Sequence, residues 1–165
     1  MPIVFLPSLL QHCISVLRKK GNRMNSLCNL AKTYAPLLGR ILIAALFLRS
    51  GFGKITGFSA VAAGMTNKGL PFAEMLLMGA IVFEIAGSLA LVLGWKARWG
   101  ALLLILFTIP ATLIYHDFWS MEGGEYRRQF SHFMKNLAII GGLLVVMGVG
   151  SGPLSLEKSK EPSGS

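Results

Sequence analysis

Apolar residues run through this chain in four long blocks, Ala35–Gly53, Phe72–Gly94, Trp99–Tyr115 and Asn136–Gly150. A helix of about 20 apolar residues crosses the hydrocarbon core of a bilayer, with a tolerated range of roughly 17–25. Two blocks reach that length and the last two lie near its lower bound. Water-soluble helices keep a polar face, and Leu89–Leu93 and Leu102–Phe107 have none. The pattern predicts an all-α integral membrane four-helix bundle, with almost the whole chain inside the bilayer.

The stretches between the blocks carry the breaks. The first block ends in Gly51, Gly53 and Gly57, and Thr56–Pro71 reads as a loop. Pro71 stands just ahead of the second block, where it suits a helix start. Trp95 and Trp99 flank Lys96 and Arg98, as in an interfacial belt at a tight hairpin. Pro110 removes a backbone donor inside the third block and predicts a kink. Residues 154–165, rich in Ser, Lys and Glu, predict a disordered cytoplasmic tail behind a membrane domain over 35–153.

Residues 1–34 read as an N-terminal extension. Met1–Leu17 is apolar but interrupted by Pro2, Pro7, Gln11 and His12, and Arg18, Lys19 and Lys20 follow it. A signal peptide has the reverse order. An interfacial helix over Ser8–Lys20 and a true start at Met24 both stay open.

The net charge of +9 raises the question of nucleic acid. The placement of the charges answers it. Arg18, Lys19, Lys20, Arg23, Lys32, Arg40, Lys96, Arg98, Lys158 and Lys160 fall on one side of a four-span arrangement. The other side carries Lys54, Lys68, Arg127, Arg128 and Lys135, diluted by Asp117, Glu122 and Glu125. The positive-inside rule then predicts both termini cytoplasmic and the 54–71 and 116–135 segments outside. Anionic headgroups account for the basicity, and no nucleic-acid partner is expected. Cys13 and Cys28 form no disulfide framework.

Charges deep in a bilayer are expensive and face the bundle interior or a polar partner. Glu84 and Arg49 each lie about 18 Å into their spans at 1.5 Å per residue. Ala45, Arg49 and Gly53 share one helix face, and Ala80, Glu84, Gly87 and Ser88 share another. Small residues let helices approach, so a buried Arg49–Glu84 pair is expected. Lys54 and Lys135 are the alternative partners, and a protonated Glu84 is a third reading. A second constellation gathers at the outer end: Glu74, His116, Asp117, His132, Lys135 and Asn136. Three readings compete for it: ordinary interfacial residues, the surroundings of a quinone or similar headgroup, and a metal site. No HxxxH or HExxH spacing supports the metal, and none is expected.

Four sets of residues resemble the DoxX family of small bacterial inner-membrane proteins. The first is Arg40, Phe47, Gly51, Lys54, Gly57 and Phe58. The second is Gly69, Leu70 and Pro71, then Glu84, Gly87 and Leu91–Gly94. The third is His116 with Phe118 and Trp119. The fourth is Phe133, Lys135, Asn136, Gly141 and Gly142, closing on Gly152 and Pro153. The pattern includes Glu84 but no arginine at position 49. The resemblance implies a four-helix bundle in the bacterial inner membrane. It also implies an accessory role in a membrane redox system linked to quinone, with a membrane or redox protein as partner. A small-solute transporter, which would need a homo-oligomer to enclose a path, and a purely structural membrane partner are the alternatives. None of the three makes the chain a stand-alone enzyme.

Overall fold

The computed structural model describes the backbone of residues 6–157 and the side chains of residues 24–157. It is all-helical over these residues. The helices are α1 (Leu6–Thr56), α2 (Phe58–Asn67), α3 (Ala73–Leu93), α4 (Ala97–Tyr115) and α5 (Gly123–Val149), with a single 3-10 turn at Phe118–Ser120. Four segments are long and apolar enough to cross a membrane: Met24–Thr56, Ala73–Leu93, Ala97–Ser120 and Gly123–Val149. The chain divides into two compact units, residues 1–35 and 36–165. In the first the backbone is helical from Leu6, and Met24, Leu27 and Leu30 are exposed. The choice between an interfacial helix over Ser8–Lys20 and a start at Met24 concerns side chains outside the described residues.

The second unit holds the bundle. The buried side of α1 is a stripe of Arg40, Ala44, Phe47 and Gly51. Positions three or four apart stack on one face of a helix, and this stripe faces the core. Ala44 and Phe47 join Leu91 of α3, Ala101, Leu104 and Ile105 of α4, and Leu143 of α5 in one cluster. Ala45, Arg49 and Gly53 are all exposed. The small-residue face expected for α1 is therefore not its packing face, although Glu84, Gly87 and Ser88 of α3 are buried as expected.

Helices α3 and α4 meet most closely where glycine faces glycine. A Cβ on Gly100 would lie 2.6 Å from the Ala90 Cβ and 2.9 Å from the Gly87 carbonyl oxygen. Only a residue without a side chain admits backbones that near to each other. Between these helices Gly94 (φ 63°) and Lys96 (φ 48°) take left-handed conformations, which turns the chain within three residues.

Three expectations are corrected. The 56–71 segment is not a loop, because α2 fills most of it. Phe58, Val61, Ala62 and Met65 recur at helical spacing and pack on Ala73 and Leu77 of α3. The last span begins at Gly123, well before the apolar block that starts at Asn136. The tail is tied down as far as Glu157. Leu156 and Glu157 donate backbone N–H groups to the carbonyls of Leu93 (3.0 Å) and Gly94 (3.2 Å). The buried Arg40 guanidinium donates through Nη2 to the Leu154 carbonyl. Residues 158–165 lie outside the described residues.

Candidate functional site

One end of the bundle forms a cavity of about 1130 Å³ that is open on one side. Its walls come from the C-terminal end of α1, from α2, from the N-terminal half of α3, from the C-terminal half of α4 and from the middle of α5. The walls are mostly apolar, with Phe47, Leu77, Phe107 and Ile139 among them. The polar groups are few: Arg49, Ser50, Lys54, Lys68, Glu84, Thr108, His116, Lys135 and Asn136.

At the level of Glu84 the cavity wall carries an ion pair. The Lys54 ammonium lies 3.0 and 2.9 Å from the two Glu84 carboxylate oxygens and 2.7 Å from Ser50 Oγ. An ammonium has three donors, and these three acceptors satisfy them. The Glu84 side chain is 1% exposed and that of Lys54 is 21% exposed. Phe107 supplies the remaining neighbour, its ring centroid 5.1 Å below Nζ. That ring rests edge-on against Phe47 at 6.3 Å. A desolvated cation over an aromatic face gains further stabilisation.

The expected Arg49–Glu84 pair is therefore replaced by Lys54–Glu84. The reason is angular. Lys54 continues the buried stripe of α1 one turn beyond Gly51, whereas Arg49 lies about 140° round the helix from Lys54 at 3.6 residues per turn. Depth alone had suggested Arg49, and the face decides for Lys54. Arg49 still lines the cavity, exposed and with no carboxylate partner among the described residues.

The second polar group expected from the sequence separates into two parts. His116, Lys135 and Asn136 line the cavity. Asn136 donates to Thr112 Oγ1 (3.0 Å), which ties α5 to α4. His116 Nδ1 is 2.8 Å from Gln129 Oε1, and its ring stacks on that of His132 at 5.1 Å. His132 Nδ1 lies 3.4 Å from the Lys135 ammonium. Glu74, Asp117 and His132 are not on the cavity wall. Glu74 is exposed in the first turn of α3, and Asp117 accepts a hydrogen bond from Ser120 Oγ in the 3-10 turn. The two histidines thus have no carboxylate converging on them, and the described residues contain no group of three metal-ligating side chains.

Lys68, which sequence reasoning did not single out for the site, also lines the cavity. Its ammonium lies 3.5 Å from the Ile114 carbonyl and 5.4 Å from the Tyr115 ring centroid. The signal for it was α2 itself, which carries the chain over this end of the bundle and delivers Lys68 at its C-terminus.

The family model for DoxX matches residues 35–117, from the first helix of the bundle through the polar end of α4. The chain belongs to the DoxX family. It is 31% identical over 128 residues to the inner membrane protein YphA of Escherichia coli, covering 78% of this chain and 91% of that protein. It is 34% identical over 122 residues to YqjF of the same organism, covering 74% and 88%. A Surfeit locus protein 4 homolog of Schizosaccharomyces pombe is 28% identical over 132 residues, covering 79% of this chain and 39% of that protein. No solved structure matches the chain. This DoxX-family chain is a multi-pass inner-membrane protein.

Proposed function

We propose that this DoxX-family protein is an accessory subunit of a membrane redox system, holding the headgroup of a quinone or similar amphiphile for a membrane partner. The observation that carries the reading is the cavity: apolar walls with a few convergent polar groups are the usual form of a small-molecule site. The Lys54–Glu84 pair sits in its wall as a fixed, dry element, and Asn136, Lys68, His116 and Lys135 offer groups that a carbonyl headgroup can accept from. Extraction of the protein in mild detergent tests this. Recovery of stoichiometric quinone or of a redox partner supports it; a preparation carrying neither, from membranes rich in both, overturns it. The competing reading is passage of a small solute. It draws on Glu84, which lines the cavity, since buried acids mark solute paths. Solute flux in proteoliposomes that Glu84→Gln abolishes would favour it.

The orientation follows the charge bias of the sequence. The cavity end, with the 54–71 and 116–135 segments, faces outward, and both termini are cytoplasmic. Reporter domains inserted after Gly64 and after Gly124 should read as periplasmic, and one inserted after Lys96 as cytoplasmic. The opposite pattern would reverse the bundle.

A further inference from the structure

The cations on the cavity wall outnumber the acids. Arg49, Lys54, Lys68 and Lys135 line it, and Glu84 is its one carboxylate. That carboxylate is fully used by Lys54. Arg49, Lys68 and Lys135 have no carboxylate partner among the described residues, whose only ion pairs are Lys54–Glu84 and Glu125–Arg128. Three exposed cations without a carboxylate partner around one cavity make its mouth electropositive, and such a concave, single-sign site attracts an anion. Each holds spare donors, because Lys68 meets a single carbonyl at 3.5 Å and Lys135 a single ring nitrogen at 3.4 Å.

We propose that the cavity is a binding site for an amphiphile with an acidic headgroup, the anion lying among Arg49, Lys68 and Lys135 and the apolar chain along the α1 and α3 walls. The inference rests on the cavity reading above but not on quinone as its occupant. A lipid is a better fit than a free anion because Leu46, Leu76, Leu77 and Ile139 on the same wall give a hydrocarbon chain its surface. At about 1130 Å³ the space exceeds the roughly 300–1,000 Å³ of ordinary small-molecule sites, which leaves room for a headgroup with part of its chain. A permanent lipid skirt does not explain the arrangement. Lys96 and Arg98, at the other end, are also basic, and neither lines this cavity.

The test uses full-length protein in a neutral detergent, with phosphatidylglycerol, phosphatidylcholine of the same chains, inorganic phosphate and decylubiquinone as probes. Saturable one-to-one binding is followed by native mass spectrometry and by the shift in unfolding temperature. Phosphatidylglycerol should bind in preference to phosphatidylcholine. The Arg49→Gln/Lys135→Gln double variant should weaken it about tenfold or more, each cation acting independently on the headgroup. Arg49→Lys/Lys135→Arg should restore it, and Lys96→Gln/Arg98→Gln should leave it unchanged. Both changed positions are exposed, so the variants keep the fold. Equal binding of the two lipids overturns the proposal, as does equal loss in the Lys96→Gln/Arg98→Gln control. An effect of phosphate alone as large as that of the lipid overturns the lipid and leaves a free anion. Saturable decylubiquinone binding without phosphatidylglycerol binding overturns this proposal while supporting the quinone reading. Failure of both probes overturns both.

Discussion

Replacing Glu84 by glutamine should lower the unfolding temperature of the detergent-solubilised protein more than any other single polar change in the bundle. The substitution leaves the Lys54 ammonium beside an amide in a wall where the acid is 1% exposed. Removing one partner of a buried pair costs about 3–5 kcal/mol in soluble proteins. Polar contacts within membranes are weaker, so about 2–3 kcal/mol is the expected loss here. For a chain of this size that corresponds to roughly 5–10 °C. Lys54→Met should cost a similar amount, because it strands the carboxylate. The double variant Lys54→Met/Glu84→Leu should recover more than half of either loss, since a pair replaced by apolar groups of like volume is often neutral. Arg49→Gln should change stability by no more than about 0.5 kcal/mol, as exposed substitutions usually do. Strictly additive losses in the double variant would exclude a direct Lys54–Glu84 interaction.

A comparable loss is expected at the closest helix contact. The Cβ of Gly100→Ala would meet the Ala90 Cβ at 2.6 Å and the Gly87 carbonyl oxygen at 2.9 Å. The second neighbour is backbone and cannot rotate away, so α3 and α4 must separate. Overpacking of this kind costs about 1–3 kcal/mol, and Gly100→Leu should exceed it. Gly141→Ala and Gly148→Ala are the matched controls, with nothing within 4 Å of the new methyl. They should be neutral or stabilising by up to about 1 kcal/mol, because alanine restricts the unfolded chain. Unfolding in a graded mixture of mild detergent and SDS would separate the two classes. Equal effects at Gly100 and Gly141 would mean that the α3–α4 contact is looser than described.

The spans were legible because hydrocarbon demands length and apolarity, and both are visible in a string of residues. What failed was the assignment of faces. Arg49 and Glu84 match in depth, but depth is set by counting along an axis, whereas partnership is set by rotation about it. The buried stripe Arg40, Ala44, Phe47, Gly51 and Lys54 carries that rotation and was present in the family resemblance as Arg40, Phe47, Gly51 and Lys54. The ten residues of α2 were missed because Gly57 and the segment from Asn67 to Pro71 look like punctuation and the helix between them is short. Its apolar period was nonetheless readable at Phe58, Val61, Ala62 and Met65. The polar group around His116 divides in the structure. His116, Lys135 and Asn136 converge on the cavity, while Glu74, Asp117 and His132 share its end of the molecule without reaching it. Nothing in a linear spacing distinguishes those two sets, since the difference lies in how α3, α4 and α5 are turned.

The bond from Arg40 to the Leu154 carbonyl links a residue of the first helix to one that the ribosome makes 114 positions later. Until residue 154 has been made, the guanidinium lacks this acceptor. Among the described residues the Leu154 carbonyl is the one hydrogen-bond acceptor of this buried guanidinium. The end of the bundle that holds Arg40 therefore cannot gain this bond until translation has passed the last helix. A tag or truncation placed directly after Gly152 would interrupt that final step, even though it removes no part of any span.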